Sequence, residues 1–418
     1  MPANRRFALA LLLTGAFCAG MGQTIVFSVL PPLARDLEMS NLAVVSIFMV
    51  SAMFWVMCGP YWGRLSDKIG RKPVVLIGLG GFVISTAAFA TALQFGLGGG
   101  LGGAVLFSIL VLARSIYGVI GSAGPPAAQA YIADRTSATD RTAGIASFAA
   151  AFGFGAMLGP GFGAVFAVIS PVAPFYAITL IAVGLWIASF FGLPELTPPR
   201  LQSKKTKVKL TDPRVRVFFL MSVAFSVVQA VLVQMISFYF MDALGVGIEA
   251  APQIAGVGLM AGSMAALFAQ LVIVQRYRVE PRLLIQIGPA LLAVGHLLIW
   301  ATPFVGPVIF GMTLAGFGAG LAFPGCSAAI SLSVDKDEQG HAMGLAASFS
   351  AAGFILAPII ALTLYNYDPR AVFVMTMVLA SLLFVFALRS VSVKSIDPTK
   401  LTEAIAASEK DPASSPYR

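Results

Sequence analysis

Charged residues are scarce in this chain of 418 residues: Asp, Glu, Lys and Arg together make up 11%, against 58% hydrophobic residues. A soluble protein of this length needs far more charge to cover its surface. The composition therefore excludes a single-core soluble domain and predicts a protein that crosses a membrane many times. A net charge of +9 would suggest nucleic acid binding in a soluble protein. Here the basic residues lie between apolar runs, so we expect a lipid bilayer, and no nucleic acid, as a partner.

Cysteine and histidine are also rare. Cys18, Cys58 and Cys326 each lie inside an apolar run, without metal-ligand spacing, and are expected to be small helix-packing residues. The only histidines are His296 and His341. The chain has no cofactor fingerprint, no metal cluster and no arrangement of nucleophile and base. An enzyme is therefore the least favoured class, and we expect no cofactor and no metal.

Apolar runs of about 18–28 residues between polar breaks predict twelve spans. The first six begin near Phe7, Leu42, Val74, Ala104, Ala143 and Pro174, and the second six near Val215, Pro252, Leu283, Val305, Gly340 and Arg370. None of the runs alternates like a barrel strand, so the spans are expected to be helices. The first run resembles a signal peptide at its start, but it continues to about Leu30, which is long enough to span.

The spans divide the chain into four predicted regions. These are a six-helix bundle at 1–193, a basic linker at 194–214, a second six-helix bundle at 215–391 and a disordered tail at 392–418. The fold class is therefore an all-α integral membrane protein of two pseudo-symmetric six-helix bundles.

The basic residues are distributed unequally between alternate loops. The loops on one side hold only Arg35 and Arg370, and Arg114 lies within a span, which leaves the other 24 of the 27 basic residues on the opposite side. Positively charged loops remain in the cytoplasm. Both termini and the linker are therefore expected to be cytoplasmic, in a multi-pass protein of the plasma (inner) membrane.

An internal repeat relates the two bundles at an offset of 198 residues. The offset aligns Gly118 with Gly316, Pro126 with Pro324, Gly155 with Gly353, Pro160 with Pro358, Pro171 with Pro369, and Asp140 with Glu338. Because each copy holds six spans, both have the same orientation, as in transporters built from parallel repeats.

The hairpin between the second and third spans carries the most specific motif. Its residues Gly63, Leu65, Asp67, Lys68, Gly70, Arg71 and Lys72 match the pattern G-x-L-x-D-[RK]-x-G-R-[RK]. This pattern resembles the loop 2–3 motif of the major facilitator superfamily. The twelve-span layout extends the resemblance over nearly the whole chain.

Two further motifs resemble the drug–proton antiporter branch of that superfamily. Arg114 to Gly118, with Gly121, is similar to the R-x-x-x-G pattern of the fourth helix. The stretch from Gly155 to Gly163 is similar to the G-x-x-x-G-P-x-x-G motif of the fifth.

The resemblance implies that the hairpin is part of a conformational gate. Gly63 and Gly70 permit a close approach or a sharp turn. Asp67 would face the start of the eleventh span, near His341, and Arg71 would lie within reach of Asp67 and Asp134. The simpler alternative is a basic loop that only sets topology.

The glycines of the fifth span are spaced for close helix contact. Gly155, Gly159 and Gly163 form a smooth face at i, i+4 and i+8, and Pro160 is expected to kink the helix. Gly155, Gly159 and Pro160 therefore join the predicted gate, although generic helix packing explains the same spacing.

Arg114 is the most informative single residue, since a charge near the middle of a span costs about 2.5–3.5 kcal/mol. No Asp or Glu lies inside any predicted span to neutralise it. It must use carbonyls, glutamine, tyrosine, water or an anionic ligand. The resemblance implies a role in proton transfer, and an arginine tied to nearby carbonyls is the structural alternative.

Matched prolines predict interrupted helices in the fourth and tenth spans, at Pro125-Pro126 and at Pro324. Polar and aromatic residues that can face a central substrate cavity, together with Arg114, are Gln23, Tyr117, Gln129, Gln229, Gln234, Phe238 and Tyr239. Each of the glutamines and aromatic residues singly is better explained by helix packing than by contact with a ligand.

The first span departs from the antiporter pattern, because residues 19–23 contain no acid. Besides Arg114, the remaining candidates for proton coupling are Asp36, Asp242 and His296. The coupling therefore depends on the resemblance and not on visible chemistry.

The first functional hypothesis is a proton-coupled exporter of small amphipathic or lipophilic compounds that works by rocker-switch alternating access. Its expected partners are a small-molecule substrate, the bilayer and protons, and the chain is expected to act as a monomer. The second is a transporter or exchanger of a small anionic metabolite with Arg114 as the binding charge. The third is a receptor or scaffold that has lost transport.

Overall fold

The computed structural model describes residues 3–135, 138–194, 208–277, 279–335 and 338–390. Across these residues it contains helices and no strands, and twelve helical segments are long and apolar enough to cross a membrane. The predicted all-α integral membrane protein with twelve spans is therefore confirmed. Most of the linker, residues 195–207, and the predicted tail, 392–418, lie outside the described residues.

Seven α-helices form the first six spans, the fourth span being shared by α4 and α5. They are α1 (Ala3–Asp36), α2 (Asn41–Ile69), α3 (Arg71–Leu97), α4 (Gly103–Val119), α5 (Gly124–Arg135), α6 (Ala138–Ala167) and α7 (Ala173–Gly192).

Six α-helices form the second six spans. They are α8 (Arg216–Asp242), α9 (Ala251–Phe268), α10 (Pro281–Ala301), α11 (Val305–Leu332), α12 (Gln339–Tyr367) and α13 (Ala371–Arg389). The eighth span continues beyond α9 as a π-helix, Ala269–Arg276.

The described residues form two compact units. Unit 1 holds those within 1–201 and 247–256, and unit 2 holds those within 202–246 and 257–418. Large apolar side chains on the helices remain exposed, including Leu180 (72%), Phe191 (80%) and Leu382 (61%). Exposed apolar surface of this kind is expected where helices face lipid.

The fourth span is interrupted, as its glycine and prolines predict. A 3₁₀ turn, Gly121–Ala123, separates α4 from α5, and Pro125 and Pro126 occupy the first turn of α5, where a missing N–H is tolerated. The carbonyl of Val119 accepts hydrogen bonds from Trp62 Nε1 (2.6 Å) and Ser122 Oγ (2.9 Å). The carbonyl released by the break is therefore satisfied by side chains.

The prediction of an interrupted helix in the tenth span is wrong, because α11 continues through Pro324 without a break. A single proline removes only one main-chain hydrogen bond, and a membrane helix can absorb that loss. The fourth span differs in having two consecutive prolines directly after a glycine.

The internal repeat appears in the packing inside each unit. Gly155 of α6 lies so close to α1 that a Cβ would overlap the carbonyl oxygen of Phe17. Its partner Gly353 of α12 also lies too close to α8 for a side chain, since a Cβ would overlap Ser226 and would lie 2.8 Å from Val223 O. The contact between the first and fifth spans is thus repeated between the seventh and eleventh.

Candidate functional site

The hairpin between α2 and α3 turns on a single residue. Helix α2 ends at Ile69 and α3 begins at Arg71, and Gly70 between them has φ 100°. A side chain is strongly disfavoured at this φ, so the turn requires glycine. The turn brings the first residue of α3 beside the last turn of α2.

Arg71 joins three helices of unit 1. Its Nη1 lies 2.6 Å from Asp67 Oδ1 on α2, and its Nε lies 3.0 Å from Asp134 Oδ2 on α5. Nη1 also donates to Ser66 Oγ at 2.6 Å, a contact that sequence reasoning missed although Ser66 lies inside the motif. The arginine side chain is 5% exposed, whereas the two carboxylates are 43% and 29% exposed. The predicted hairpin residues therefore form a connected charge network.

Gly63 is less constrained than Gly70. A Cβ at this position would lie 3.8 Å from Pro126 Cβ, which is an ordinary van der Waals contact. The approach of α5 therefore does not require glycine here.

The glycines of α6 let its backbone contact α1. A Cβ at Gly159 would lie 2.5 Å from Met21 O, and one at Gly163 would lie 3.1 Å from Ser28 Oγ. Ser28 Oγ donates to the carbonyl of Ile25 in its own helix (3.0 Å) and lies 3.5 Å from the carbonyl oxygen of Pro160 on α6. Gly155, Gly159 and Pro160 thus belong to one helix–helix contact inside unit 1.

Arg114 is 4% exposed and lies against aromatic rings. Its Cζ is 5.1 Å from the ring centroid of Tyr117 and 5.9 Å from that of Phe89, which are cation–π distances. Its Nε has no hydrogen-bond partner among the described residues. The nearby Ser51 hydroxyl donates to the main-chain carbonyl of Arg114 (2.9 Å) and leaves the guanidinium untouched.

The repeat supplies an internal comparison for this arginine. At the offset of 198 residues, Arg114 in unit 1 corresponds to Met312 in unit 2, and both are buried, at 4% and 1% exposure. The fold therefore accepts an uncharged side chain of similar length at this place. Packing alone does not account for the charge in unit 1.

An apolar cavity opens beside this arginine inside unit 1. It offers about 40 Å³ to the centre of a water-sized sphere, and its walls come from α1, α2, α3, α5, α6 and the end of α4. The rings of Trp55, Phe82 and Tyr117 line it, with centroids 4.9 Å apart for Trp55–Tyr117 and 5.5 Å for Phe82–Tyr117. Of the predicted cavity residues, only Tyr117 lines this space, and Gln23 and Gln129 are half-buried elsewhere in the unit.

The predicted cavity residues of unit 2 lie mostly in its core. Phe238 and Tyr239 are buried, and the Tyr239 hydroxyl donates to the carbonyl of Ile299 at 2.8 Å. The side-chain oxygens of Gln229 and Gln234 are buried without a hydrogen-bond partner among the described residues. Of this group, the two glutamines therefore retain unused hydrogen-bonding capacity.

The proton-coupling candidates occupy three different environments. Asp36 is exposed at the end of α1. Asp242 is exposed at the end of α8, and its Oδ2 accepts a hydrogen bond from Tyr365 on α12 at 2.8 Å. His296 is fully buried: its Nδ1 lies 2.8 Å from the carbonyl of Leu292, and its Nε2 has no described partner.

The described end of the linker is attached to the start of α12. Arg214 Nη2 lies 2.8 Å from Asp212 Oδ2 and 3.0 Å from Glu338 Oε2, so the arginine pairs with both carboxylates. The main-chain N–H of Val208 donates to His341 Nδ1 at 3.1 Å. Hydrogen bonds from Arg214 lower the pKa of the Asp212 and Glu338 carboxyls, and those carboxyls raise the pKa of Arg214. Sequence analysis missed this cluster because Arg214 and Glu338 are 124 residues apart.

The family assignment comes from a match over nearly the full length. A statistical model of the Major Facilitator Superfamily matches residues 12–295 and 272–415. The chain belongs to the major facilitator superfamily. It is therefore a multi-pass membrane transporter, as its hairpin motif predicted.

The sequences of individual relatives align with most of this transporter. It is 26% identical over 371 residues to multidrug resistance protein 1 of Bacillus subtilis (strain 168), covering 87% of this chain and 91% of that protein. It is 28% identical over 375 residues to the class C tetracycline resistance protein of Escherichia coli, covering 86% and 89%. A bacterial homologue of the human lysosomal transporter Spinster has the same fold, with a TM-score of 0.74 at 13% identity over 95% of this chain and 98% of that one.

Proposed function

We propose that this transporter is a secondary exporter of small amphipathic or lipophilic compounds. The observation that carries the proposal is the cavity of unit 1, an apolar space lined by Trp55, Phe82 and Tyr117. Cavities of this kind bind ligands through apolar area with only a few polar contacts. The names of the relatives, multidrug and tetracycline resistance proteins, support the same class of cargo.

Alternating access is the mechanism that we propose for this export. The network of Arg71, Asp67 and Asp134 ties α2, α3 and α5 together, and the close α1–α6 contact makes another rigid pair. Rigid bundles that move as bodies are what a rocker-switch requires. The resemblance of both motifs to those of the antiporter branch supports this role.

Proton coupling is assigned to Asp242 within the proposal. In the described spans, Asp and Glu residues occur only at or near the span ends. Among these, Asp242 accepts a hydrogen bond from Tyr365 of another helix, so protonation of its carboxylate changes the α8–α12 contact. Asp36 shows no comparable described contact, and the buried His296 is remote from water.

The transporter is proposed to act as a monomer in the plasma (inner) membrane, with both termini in the cytoplasm. The distribution of basic residues supports this orientation. An exchanger of anionic metabolites is not favoured, because the Arg114 guanidinium stacks on two aromatic rings and does not line the cavity.

The experiment is an efflux assay with Nile red, an uncharged aromatic dye. Bacterial cells that lack their own exporters are loaded with dye, energised, and compared with cells carrying an empty vector. Cells expressing the transporter should lose dye several-fold faster, and a protonophore should remove the difference. Efflux that persists after the proton gradient is collapsed would overturn the antiport part, and equal rates with and without the transporter would overturn export of this class.

A further inference from the structure

The described end of the linker is fastened to the start of α12 at two points inside unit 2. At the first, the main-chain N–H of Val208 donates to His341 Nδ1 at 3.1 Å, and Val208 itself is buried, at 4% exposure. At the second, Arg214 Nη2 lies 3.0 Å from Glu338 Oε2. Residues 208–214, the clasp, are therefore held to one helix at both ends.

The first fastening depends on the protonation state of a histidine. An imidazole nitrogen accepts a hydrogen bond only when it carries no proton, so the contact requires a neutral His341 with its proton on Nε2. A protonated ring carries N–H groups on both nitrogens, and Nδ1 would then face a second donor. Because Val208 is buried, its N–H would be left without a partner, which is costly. Protonation of His341 therefore works against the closed clasp.

The second fastening responds to pH over a different range. Arg214 keeps its charge at any pH of interest. Its hydrogen bonds lower the pKa of the Asp212 and Glu338 carboxyls, so both stay ionised at a pH at which histidine becomes protonated. The Arg214 end of the clasp thus remains attached under conditions that release the Val208 end.

Other charged groups at this end of unit 2 are less closely involved. The helices packed against α12 are α8, α11 and α13, and the charged residues at their nearby ends are Arg216, Asp335 and Arg389. All three are exposed, so solvent screens their effect on the ring of His341. Glu338 lies three residues before His341, but its carboxylate is already paired with Arg214. The contact that distinguishes the two forms of the ring is therefore the one to Val208.

We propose that residues 208–214 form a pH-sensitive clasp: protonation of His341 releases Val208, while Arg214 keeps its hold on Glu338. Release of residues 208–213 would add about 20 Å of unattached chain to the linker, at about 3.3–3.6 Å for each extended residue. In the proposed orientation this end of unit 2 faces the cytoplasm, so the signal is cytoplasmic acid. The inference goes beyond the proposed function and does not depend on the cargo.

The test is hydrogen–deuterium exchange of the Val208 amide, followed by mass spectrometry with overlapping peptides. Purified full-length protein in lipid nanodiscs is examined at pH 7.5 and pH 5.5. Each rate is divided by that of an unstructured peptide at the same pH, which removes the direct effect of pH on exchange. His341→Asn is the decisive variant, because its amide oxygen can accept the same hydrogen bond and does not titrate.

Protection of the Val208 amide in the wild-type protein should fall about tenfold from pH 7.5 to pH 5.5, the range over which histidine gains its charge. In His341→Asn the two values should stay within about threefold of each other. Arg214→Gln is the matched control, since it removes the other fastening. It should lower protection at both pH values and leave the ratio between them unchanged.

Wild-type protection that is absent at pH 7.5, or equal at the two pH values, would overturn the inference, and this comparison needs no variant to fold. A tenfold fall that persists in His341→Asn would overturn it too, because another group would then control the clasp. The result is separable from the efflux assay. A protein that exports Nile red without acid release of Val208 would contradict the clasp alone, and acid release in a protein that does not export would contradict the proposed function alone.

Discussion

Arg71 Nε lies 3.0 Å from Asp134 Oδ2, so the first residue of α3 is tied to the end of α5, 63 residues further along the chain. The same guanidinium holds Asp67 one turn back across Gly70. A buried cation that serves two carboxylates on different helices fixes the geometry of this end of unit 1. That is the property which a gate needs if the whole bundle is to move as one body.

Replacing this arginine should destabilise the protein. Arg71→Gln leaves both carboxylates unpaired, and the expected loss is about 1.5–3 kcal/mol, the range for hydrogen bonds to charged groups. Unfolding of the purified protein by denaturant measures it. Arg64→Gln removes an arginine that is exposed and should cost little. Equal losses for the two variants would contradict the role assigned to Arg71.

Glycine at position 155 should be required for the contact between α1 and α6. Gly155→Ala places a Cβ against the carbonyl of Phe17, and overpacking of this kind costs about 1–3 kcal/mol. Gly153→Ala on the same helix meets no atom within 4 Å and should be neutral or slightly stabilising. Thermal unfolding of both variants checks the pair. The repeat predicts the same loss for Gly353→Ala, and a loss confined to one unit would argue against equivalent packing.

Substitution of Asp242 should separate proton coupling from substrate movement. Asp242→Asn keeps an oxygen that can accept from the Tyr365 hydroxyl but removes the carboxyl group that the proposal assigns to proton coupling. Proton-driven efflux should fall at least tenfold, whereas substrate counterflow in proteoliposomes should fall less than about threefold. Asp36→Asn is the matched control at another span end. If Asp242→Asn retains full proton-driven efflux, the carboxylate is not the coupling group.

Arg114 should tolerate methionine better than alanine. Arg114→Met removes a buried, unpaired charge with little change in volume, so its cost to the free energy of unfolding should be small. Arg114→Ala also opens a cavity and should be at least about 2 kcal/mol less stable than Arg114→Met. Denaturant unfolding of both variants tests the order. The reverse order would mean that a methionine side chain does not fit the space that the arginine side chain occupies.

The Arg214 cluster should contribute to stability only above acidic pH. Because Arg214 lowers the pKa of Asp212 and Glu338 in the folded protein, its contribution is present above the ordinary carboxyl range, near pH 4, and is lost as the pH falls through the lowered values. The melting temperature of Arg214→Gln should therefore lie slightly below that of the wild type at pH 7 and converge with it in acid. A difference that grows in acid would contradict this sign.

Local features of the site were predictable from sequence because their causes lie within a few residues. The hairpin is such a case: Gly70 is needed for a turn of one residue, and Asp67 and Arg71 are four positions apart. The twelve spans follow from the length of the apolar runs, which a bilayer dictates. The repeat offset likewise anticipated the equivalent contacts of Gly155 and Gly353.

Contacts between distant segments were decided only by tertiary structure. Sequence shows that Arg114 has no acid inside its span and that Tyr117 follows it by three residues on the same helix, but the contact with Phe89 depends on how α3 packs against α4. Tertiary structure also decided that α11 stays continuous at Pro324 and that the Tyr239 hydroxyl donates to the carbonyl of Ile299. Hydrophobic pattern and local turn chemistry therefore determined the spans and the hairpin. The cavity and the partners of its buried charge were set by long-range packing, which no periodicity in the chain encodes.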